Sequence, residues 1–402
     1  MVTFAAVQEA KDRISPHIIR TPLVFSPTFS ERTGARVYLK LETFQKAGSF
    51  KVRGATNKIL RNLDIAGKYG VVAASAGNHA QGVAVAARNA DVAATIVMPV
   101  WASLVKQEAT KSYGARIVLH GQTLEESVAY AESLARNGML FVHPYDDDEV
   151  IAGQGTVGLE ILEDLPEMDV VVVPVGGGGL IAGIATATKA LRPSCRIIGV
   201  QSESCPSAFE ALRTGKPVCV IPKPTLADGI RVAQPGLATL PVIMERVERI
   251  AIVGEDAIAD AVLSLIERKK VIAEGAGATP LAALLSGAVE VKGGSTVVLV
   301  ISGGNIDTPL LERAIRRALV LRGRILQCRV TIGDASGTLA RMLAVVAREG
   351  GNITHIHHEA GAMDVPVQSV RVLLEIETRG PDHIRSIVAA LEGGGYRTDL
   401  TE

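Results

Sequence analysis

Three apolar runs punctuate the chain: Val170-Val171-Val172-Val173-Pro174-Val175, Gly70-Val71-Val72-Ala73-Ala74 and Thr296-Val297-Val298-Leu299-Val300-Ile301. Short runs of β-branched residues without polar alternation predict strands buried on both faces, as in a parallel sheet covered by helices. Each run ends in glycine or small polar residues. The first opens onto Gly176-Gly177-Gly178-Gly179 and a helical pattern from Leu180 to Leu191. The second opens onto Ser75-Ala76-Gly77-Asn78-His79 and a small-residue helix predicted over 83–89, and the third onto Ser302-Gly303-Gly304-Asn305. The last quarter has a different rhythm. Residues 325–332 alternate, with Leu326, Cys328 and Val330 on one face, which predicts a half-buried strand. Thr338 to Glu349 predicts an amphipathic helix, stopped by Gly350-Gly351. Strands over 353–358 and 370–378 and a helix over 382–391 follow, an order that predicts a βαββαβ ferredoxin-like unit.

The polar loops carry the chemistry. Main-chain N–H groups at a glycine turn, with a helix start behind them, make an anion site, most often for phosphate. The loop Gly176 to Gly179 lacks the Lys-Ser/Thr of a nucleotide P-loop and the spaced glycines of a dinucleotide turn. A small phosphorylated ligand held by backbone remains. Lys51 lies between Phe50 and Val52 in Ser49-Phe50-Lys51-Val52-Arg53-Gly54-Ala55. Burial there would disfavour the ammonium and leave a nucleophilic amine suited to a Schiff base. An ordinary surface lysine is the competing reading of the same heptapeptide. Loops at the carboxyl ends of strands in a doubly wound sheet converge on one crevice, so the three polar loops are expected to face one ligand. A phosphate cradle with an activated lysine suggests pyridoxal 5'-phosphate (PLP).

The chain resembles the fold-type-II PLP enzymes of the threonine (serine) dehydratase group. The resemblance rests on Arg20-Thr21-Pro22-Leu23, Leu39-Lys40-Leu41-Glu42-Thr43-Phe44-Gln45, the lysine heptapeptide and the asparagine loop. It continues through Ile151-Ala152-Gly153-Gln154-Gly155-Thr156, the tetraglycine loop, Ala273-Glu274-Gly275-Ala276-Gly277-Ala278 and Ser302-Gly303-Gly304-Asn305, in the family's order over about residues 5–320. It implies a two-lobed α/β catalytic domain over 1–320, with a small mobile lobe at about 46–145 carrying Lys51, and dehydration of L-threonine, with L-serine a second substrate. Lys51 is then the lysine that carries PLP and takes the substrate α-proton. Phe50, Asn78, Gly176, Gly177, Gly178, Gly179, Glu274 and Ser302 are the expected cofactor contacts, Asn78 at the 3-hydroxyl and Ser302 at the pyridine nitrogen. Ser75, Ala76, Gly77, Asn78 and His79 are the expected substrate contacts. Ala76 stands where related serine racemases carry a second serine as base, so dehydration is expected over racemisation, with racemase or another β-eliminase as the alternative enzyme. Gln201 and Ser207 stand where those racemases place acidic metal ligands, so no metal is expected.

Asp334-Ala335-Ser336-Gly337 and Gly351-Asn352-Ile353 resemble an ACT domain, a regulatory amino-acid-binding module, expected over 325–402. The resemblance makes Asp334, Gly337, Asn352 and Ile353 candidate effector contacts, with isoleucine and valine as plausible effectors, and implies a homo-oligomer, tetramer or dimer. A tight turn built by Asp334 and Gly337 is the alternative. An amino-acid sensor with a vestigial catalytic half is the non-enzymatic alternative, and the intact set Lys51, Asn78, tetraglycine and Ser302 speaks against it.

Composition narrows the classes. Lys plus Arg equals Asp plus Glu at 42 each and aromatics are 3%, which gives no basis for nucleic-acid or anionic-membrane binding. No apolar run approaches the roughly 20 residues that span a bilayer. Charge comes early at the N-terminus, unlike a signal peptide, so a cytoplasmic protein is expected. Cys195, Cys205, Cys219 and Cys328 form no metal-spaced or C-x-x-C pair. The histidines His355, His357 and His358 alternate on a strand rather than converge. The acidic run Asp146 to Glu149 reads as a solvated helix start.

Overall fold

The structure, a computed structural model, describes residues 1–361 and 364–400 of the 402. Its strands are β1 (Leu23–Phe25), β2 (Arg36–Leu41), β3 (Val71–Ala74), β4 (Ala94–Met98), β5 (Arg116–Leu119), β6 (Leu140–Phe141) and β7 (Val170–Pro174). They continue as β8 (Arg196–Ser202), β9 (Arg249–Val253), β10 (Thr296–Ile301), β11 (Ile325–Gly333), β12 (Asn352–Glu359), β13 (Ser369–Glu377) and β14 (Arg397–Leu400). Six strands form one sheet, β1-β2-β10-β7-β8-β9, parallel except for β1 at its edge. A second sheet, β5-β4-β3-β6, is parallel throughout. The three apolar runs are the strands β7, β3 and β10, and every position in them is buried because helices cover both faces.

Two compact units, Met1–Leu311 and Glu312–Glu402, each have a core. The division falls inside the helix Thr308–Leu321, earlier than the expected boundary near 320. In the second unit the sheet order is β12-β13-β11-β14, antiparallel, with β11 alternating between half-exposed and buried positions. Helices Thr338–Arg348 and Pro381–Gly393 complete the βαββαβ order.

One helix starts earlier than the sequence pattern suggests. It runs from Asn78 to Asn89, not from Val83, so Asn78 and His79 lie in its first turn. The first turn carries polar and small residues, which apolar periodicity does not register. Glycines bring three other helices into backbone contact. A β-carbon on Gly183 would lie 2.4 Å from the Ile151 carbonyl oxygen, and one on Gly153 would lie 2.7 Å from that of Arg53. Helices Lys51–Arg61, Asp148–Asp164 and Gly179–Leu191 are thereby locked side by side, which fixes where the first residue of each stands.

Candidate active site

Lys51 is the first residue of its helix. A helix start disfavours positive charge, and burial disfavours it further. Burial brings the Lys51 ammonium down to about 8, against the pull of the Glu274 carboxylate. Nζ donates to the Pro144 carbonyl at 2.8 Å and stands 5.2 Å from the centre of the Phe50 ring.

From Lys51 a chain of contacts closes around one spot. Phe50 N donates to the Ser302 carbonyl at 3.1 Å, just beyond the end of β10, and Ser49 pairs with Gly303. Glu274 N donates to the Gly303 carbonyl, and both Glu274 oxygens accept from Asn78 Nδ2 at 2.8 and 2.9 Å. Asn78 begins the helix that packs on Lys51: a β-carbon on Gly82 would lie 3.0 Å from the Lys51 carbonyl carbon. On the other side, Pro144 precedes Tyr145, whose ring covers the glycine loop. A β-carbon on Gly177 would lie 2.3 Å from that ring, and Gly178 takes φ +96° as the helix cap. Only glycine permits both the contact and the turn. The N–H groups of Gly179, Leu180 and Ile181 precede the first helical bond, Ala182 N to Gly178 O, as an anion cradle requires.

Glu274 is buried, and burial together with the Asp228 carboxylate pushes it up to about 7. The His79 side chain faces the fold. Its ring is buried, Nε2 lies 2.8 Å from the Val142 carbonyl, and burial brings it down to about 3. The neutral ring therefore donates Nε2–H to backbone, so its side chain is spent on the fold. Its main-chain N–H, with those of Asn78 and Ala80, precedes the first bond of that helix, Gln81 N to Gly77 O. Ser75 Oγ accepts from Gly77 N at 3.1 Å and shapes the same turn.

Residues 14–303 match the family model of the pyridoxal-phosphate dependent enzymes, and this decides the class of the site. The chain belongs to the pyridoxal-phosphate dependent enzyme family. The residues present fit the group. Asn78 Oδ1 and Ser49 Oγ are buried at this site without a hydrogen-bond partner among the described residues, and buried polar atoms are ordinarily paired. A ligand with polar groups at those points would satisfy them. L-threonine ammonia-lyases of Thermotoga maritima and Geobacter sulfurreducens are 46% and 45% identical over 401 residues, all of this chain and all of theirs. A catabolic L-threonine dehydratase of Staphylococcus aureus is 48% identical over 323 residues, 79% of this chain and 93% of its own. Among solved structures, the threonine deaminase of T.th. aligns with a TM-score of 0.71 at 41% identity, over 76% of this chain and 99% of its own. Maize serine racemase aligns with a TM-score of 0.73 at 35% identity, over 80% of this chain and 99% of its own.

This pyridoxal-phosphate family chain holds features that motif reading missed. Arg53 is fully buried and donates to Glu42 and Glu160, while Lys40 donates to Glu160 and to the Thr21 carbonyl. The motifs around Thr21, Glu42, Arg53 and Thr156 are thus one buried ionic network, two residues from Lys51. The acidic run is only in part a solvated helix start. Asp147 caps the helix Asp148–Asp164, but Asp146 accepts from Leu237 N and Ala238 N at 2.9 and 2.7 Å and pins a loop beside the glycines.

The candidate effector residues do not come together within the chain. Asp334 and Gly337 stand at the turn after β11, where Gly333 pairs with Ser369. Asn352 starts β12 opposite Glu377, whose β11 partner is Ile325. The two ends lie about 27 Å apart at the strand rise of about 3.4 Å per residue. Asn352 Nδ2 donates to Glu377 at 2.7 Å, and Ile353 packs on the core of its unit.

Proposed function

We propose that this protein is a pyridoxal-phosphate dependent L-threonine ammonia-lyase, converting L-threonine to 2-oxobutyrate and ammonia, with L-serine as a second substrate. The observation that carries the reading is Lys51: an amine brought down to about 8 at a helix start, beside a glycine cradle, in a chain that matches threonine ammonia-lyases from end to end. Bound PLP supplies an electron-withdrawing ring conjugated to the nitrogen of the amino acid, which makes the α-proton acidic. Gly176 to Gly179 would hold the phosphate through main-chain N–H groups. Lys51 would hold the cofactor covalently, and its amine, whose proton affinity lies near working pH, is suited to take the substrate α-proton. The first-turn N–H groups of Asn78 and His79, with the Ala76-Gly77 backbone, receive the substrate carboxylate. Asn78 is assigned to the ring hydroxyl. Ser302 is assigned to the ring nitrogen, where a neutral hydroxyl stores less negative charge in the ring than a carboxylate would and so favours early loss of the β-hydroxyl. Ala76 offers no proton carrier on the opposite face, which favours elimination over racemisation.

The C-terminal unit is read as an ACT-like regulatory module that binds an amino-acid effector in a homo-oligomer. Its βαββαβ order and the Asp334–Gly337 turn support this.

The test is direct. The purified protein should absorb in the visible, and borohydride should fix the cofactor's mass to the peptide carrying Lys51. L-threonine should yield 2-oxobutyrate. A protein that cannot be loaded with PLP would overturn the catalytic reading, and faster formation of D-serine than of pyruvate from L-serine would replace it with the racemase.

A further inference from the structure

The Asn78–Glu274 pair joins the helix Asn78–Asn89 to the residue that precedes the helix Gly275–Leu285. We propose that Glu274 is a proton-linked positioning residue that sets which end of the Asn78 amide meets the cofactor's ring oxygen; this rests on the PLP reading above. A carboxylate can only accept hydrogen bonds, so an ionised Glu274 takes the amide nitrogen, as both its oxygens do here at 2.8 and 2.9 Å. Asn78 Oδ1 is then the atom left over, and it is the one that is buried without a partner. In that arrangement Asn78 presents an acceptor, which favours a ring hydroxyl. Protonated Glu274 carries an O–H that donates to Oδ1 instead. The amide then turns over and presents Nδ2, a donor, which favours an ionised ring oxygen. The ring proton passes between that oxygen and the Lys51 nitrogen, while Glu274 exchanges its own proton with solvent.

The charged groups facing Glu274 are Asp228 from the short helix Asp228–Ile230, Lys106 from the helix Leu104–Ser112, and Lys51. Asp228 raises the proton affinity of Glu274, Lys106 and Lys51 lower it, and burial places the changeover at about 7. The signature is the direction of the effect together with its dependence on Glu274. Raising pH through this range converts the form with an ionised ring oxygen into the form with a ring hydroxyl, opposite to a ring hydroxyl titrating by itself.

The experiment is an absorption titration of the PLP-loaded wild type, Glu274→Gln and Asn78→Ala from about pH 6 to about pH 9, bracketing the shifted carboxyl. Wild type should pass from the longer-wavelength band to the shorter one in a one-proton step as pH rises, and both variants should lose that step. Glutamine can donate or accept at any pH, so its loss of the step would come without loss of packing. A wild-type step of the opposite sign, no step, or an undiminished step in Glu274→Gln would overturn the inference alone. The sign excludes a ring hydroxyl titrating by itself, and loss of the step in Glu274→Gln or Asn78→Ala excludes simple proton loss from the Lys51 nitrogen, which also shortens the wavelength as pH rises. A wild type that takes up no PLP would overturn the inference together with the enzyme reading.

Discussion

In the first unit, candidate residues from segments near 51, 78, 176, 274 and 302, with Pro144 and Tyr145 between two of them, are joined by one set of contacts. In the second unit, candidates only some fifteen residues apart in sequence stand at opposite ends of a sheet. The difference is topological. Strands β2, β7 and β10 of one sheet and β3 of the other each pair in parallel with a neighbour, and the segments that leave their carboxyl ends meet at one site. In the second unit, Asp334 and Gly337 follow a strand whereas Asn352 begins the next one, and the crossover helix between them carries the chain from one edge to the other. Motif proximity in sequence therefore says little about proximity in space unless both motifs lie on the same side of a strand.

That contrast can be tested by substitution. Lys51→Ala should lose covalent cofactor and lower turnover by about 10³-fold, the scale of a lost proton-transferring group; retention of the borohydride-fixed adduct at wild-type yield would refute its place at the centre of that set of contacts. Arg53→Met leaves Glu42 buried without its cationic partner and Glu160 with Lys40 alone, and should cost about 3–5 kcal/mol, read as a lower denaturant midpoint. An unchanged midpoint would mean the ionic network does not hold the lysine helix. Gly177→Ala sets a β-carbon into the Tyr145 ring and should cost about 1–3 kcal/mol of stability, with weaker PLP binding by equilibrium dialysis. Smallest is the change in the second unit. Gly337 holds φ +79°, so Gly337→Ala should cost about 1 kcal/mol while leaving turnover without effector unchanged. With isoleucine or valine present, Gly337→Ala should shift the response and Asn352→Ala should not, if the turn after β11 alone receives the effector. Equal shifts from both would require the two ends to meet across two copies of the chain.

Much of the site was legible because it is written in backbone chemistry. Gly178 at positive φ, the apolar strand before it and the helix after it are local features, and each is visible within a few residues. The resemblance to dehydratases placed Lys51, Asn78, Glu274 and Ser302 together, and the contacts join them. The direction of the His79 ring was not legible. Whether its ring faces a ligand or the Val142 carbonyl depends on a loop 63 residues away. Tyr145 was missed for the same reason: no pattern in its own segment marks it, and its place over Gly177 and Gly179 appears only when the two segments pack.

The sequence by itself determined the strands, the glycine turns, the activated lysine as a candidate and the change of rhythm that marks a second unit. These follow from φ restrictions and from hydrophobic period, which act over a few residues. Only the tertiary structure decided that Arg53 is an internal ion, that Asn78 turns its nitrogen toward a carboxylate 196 residues later, and that the candidate effector residues part company. Charge pairing, amide orientation and the edge of a sheet on which a loop emerges are set by which surfaces are buried together, and that is a property of the folded chain as a whole.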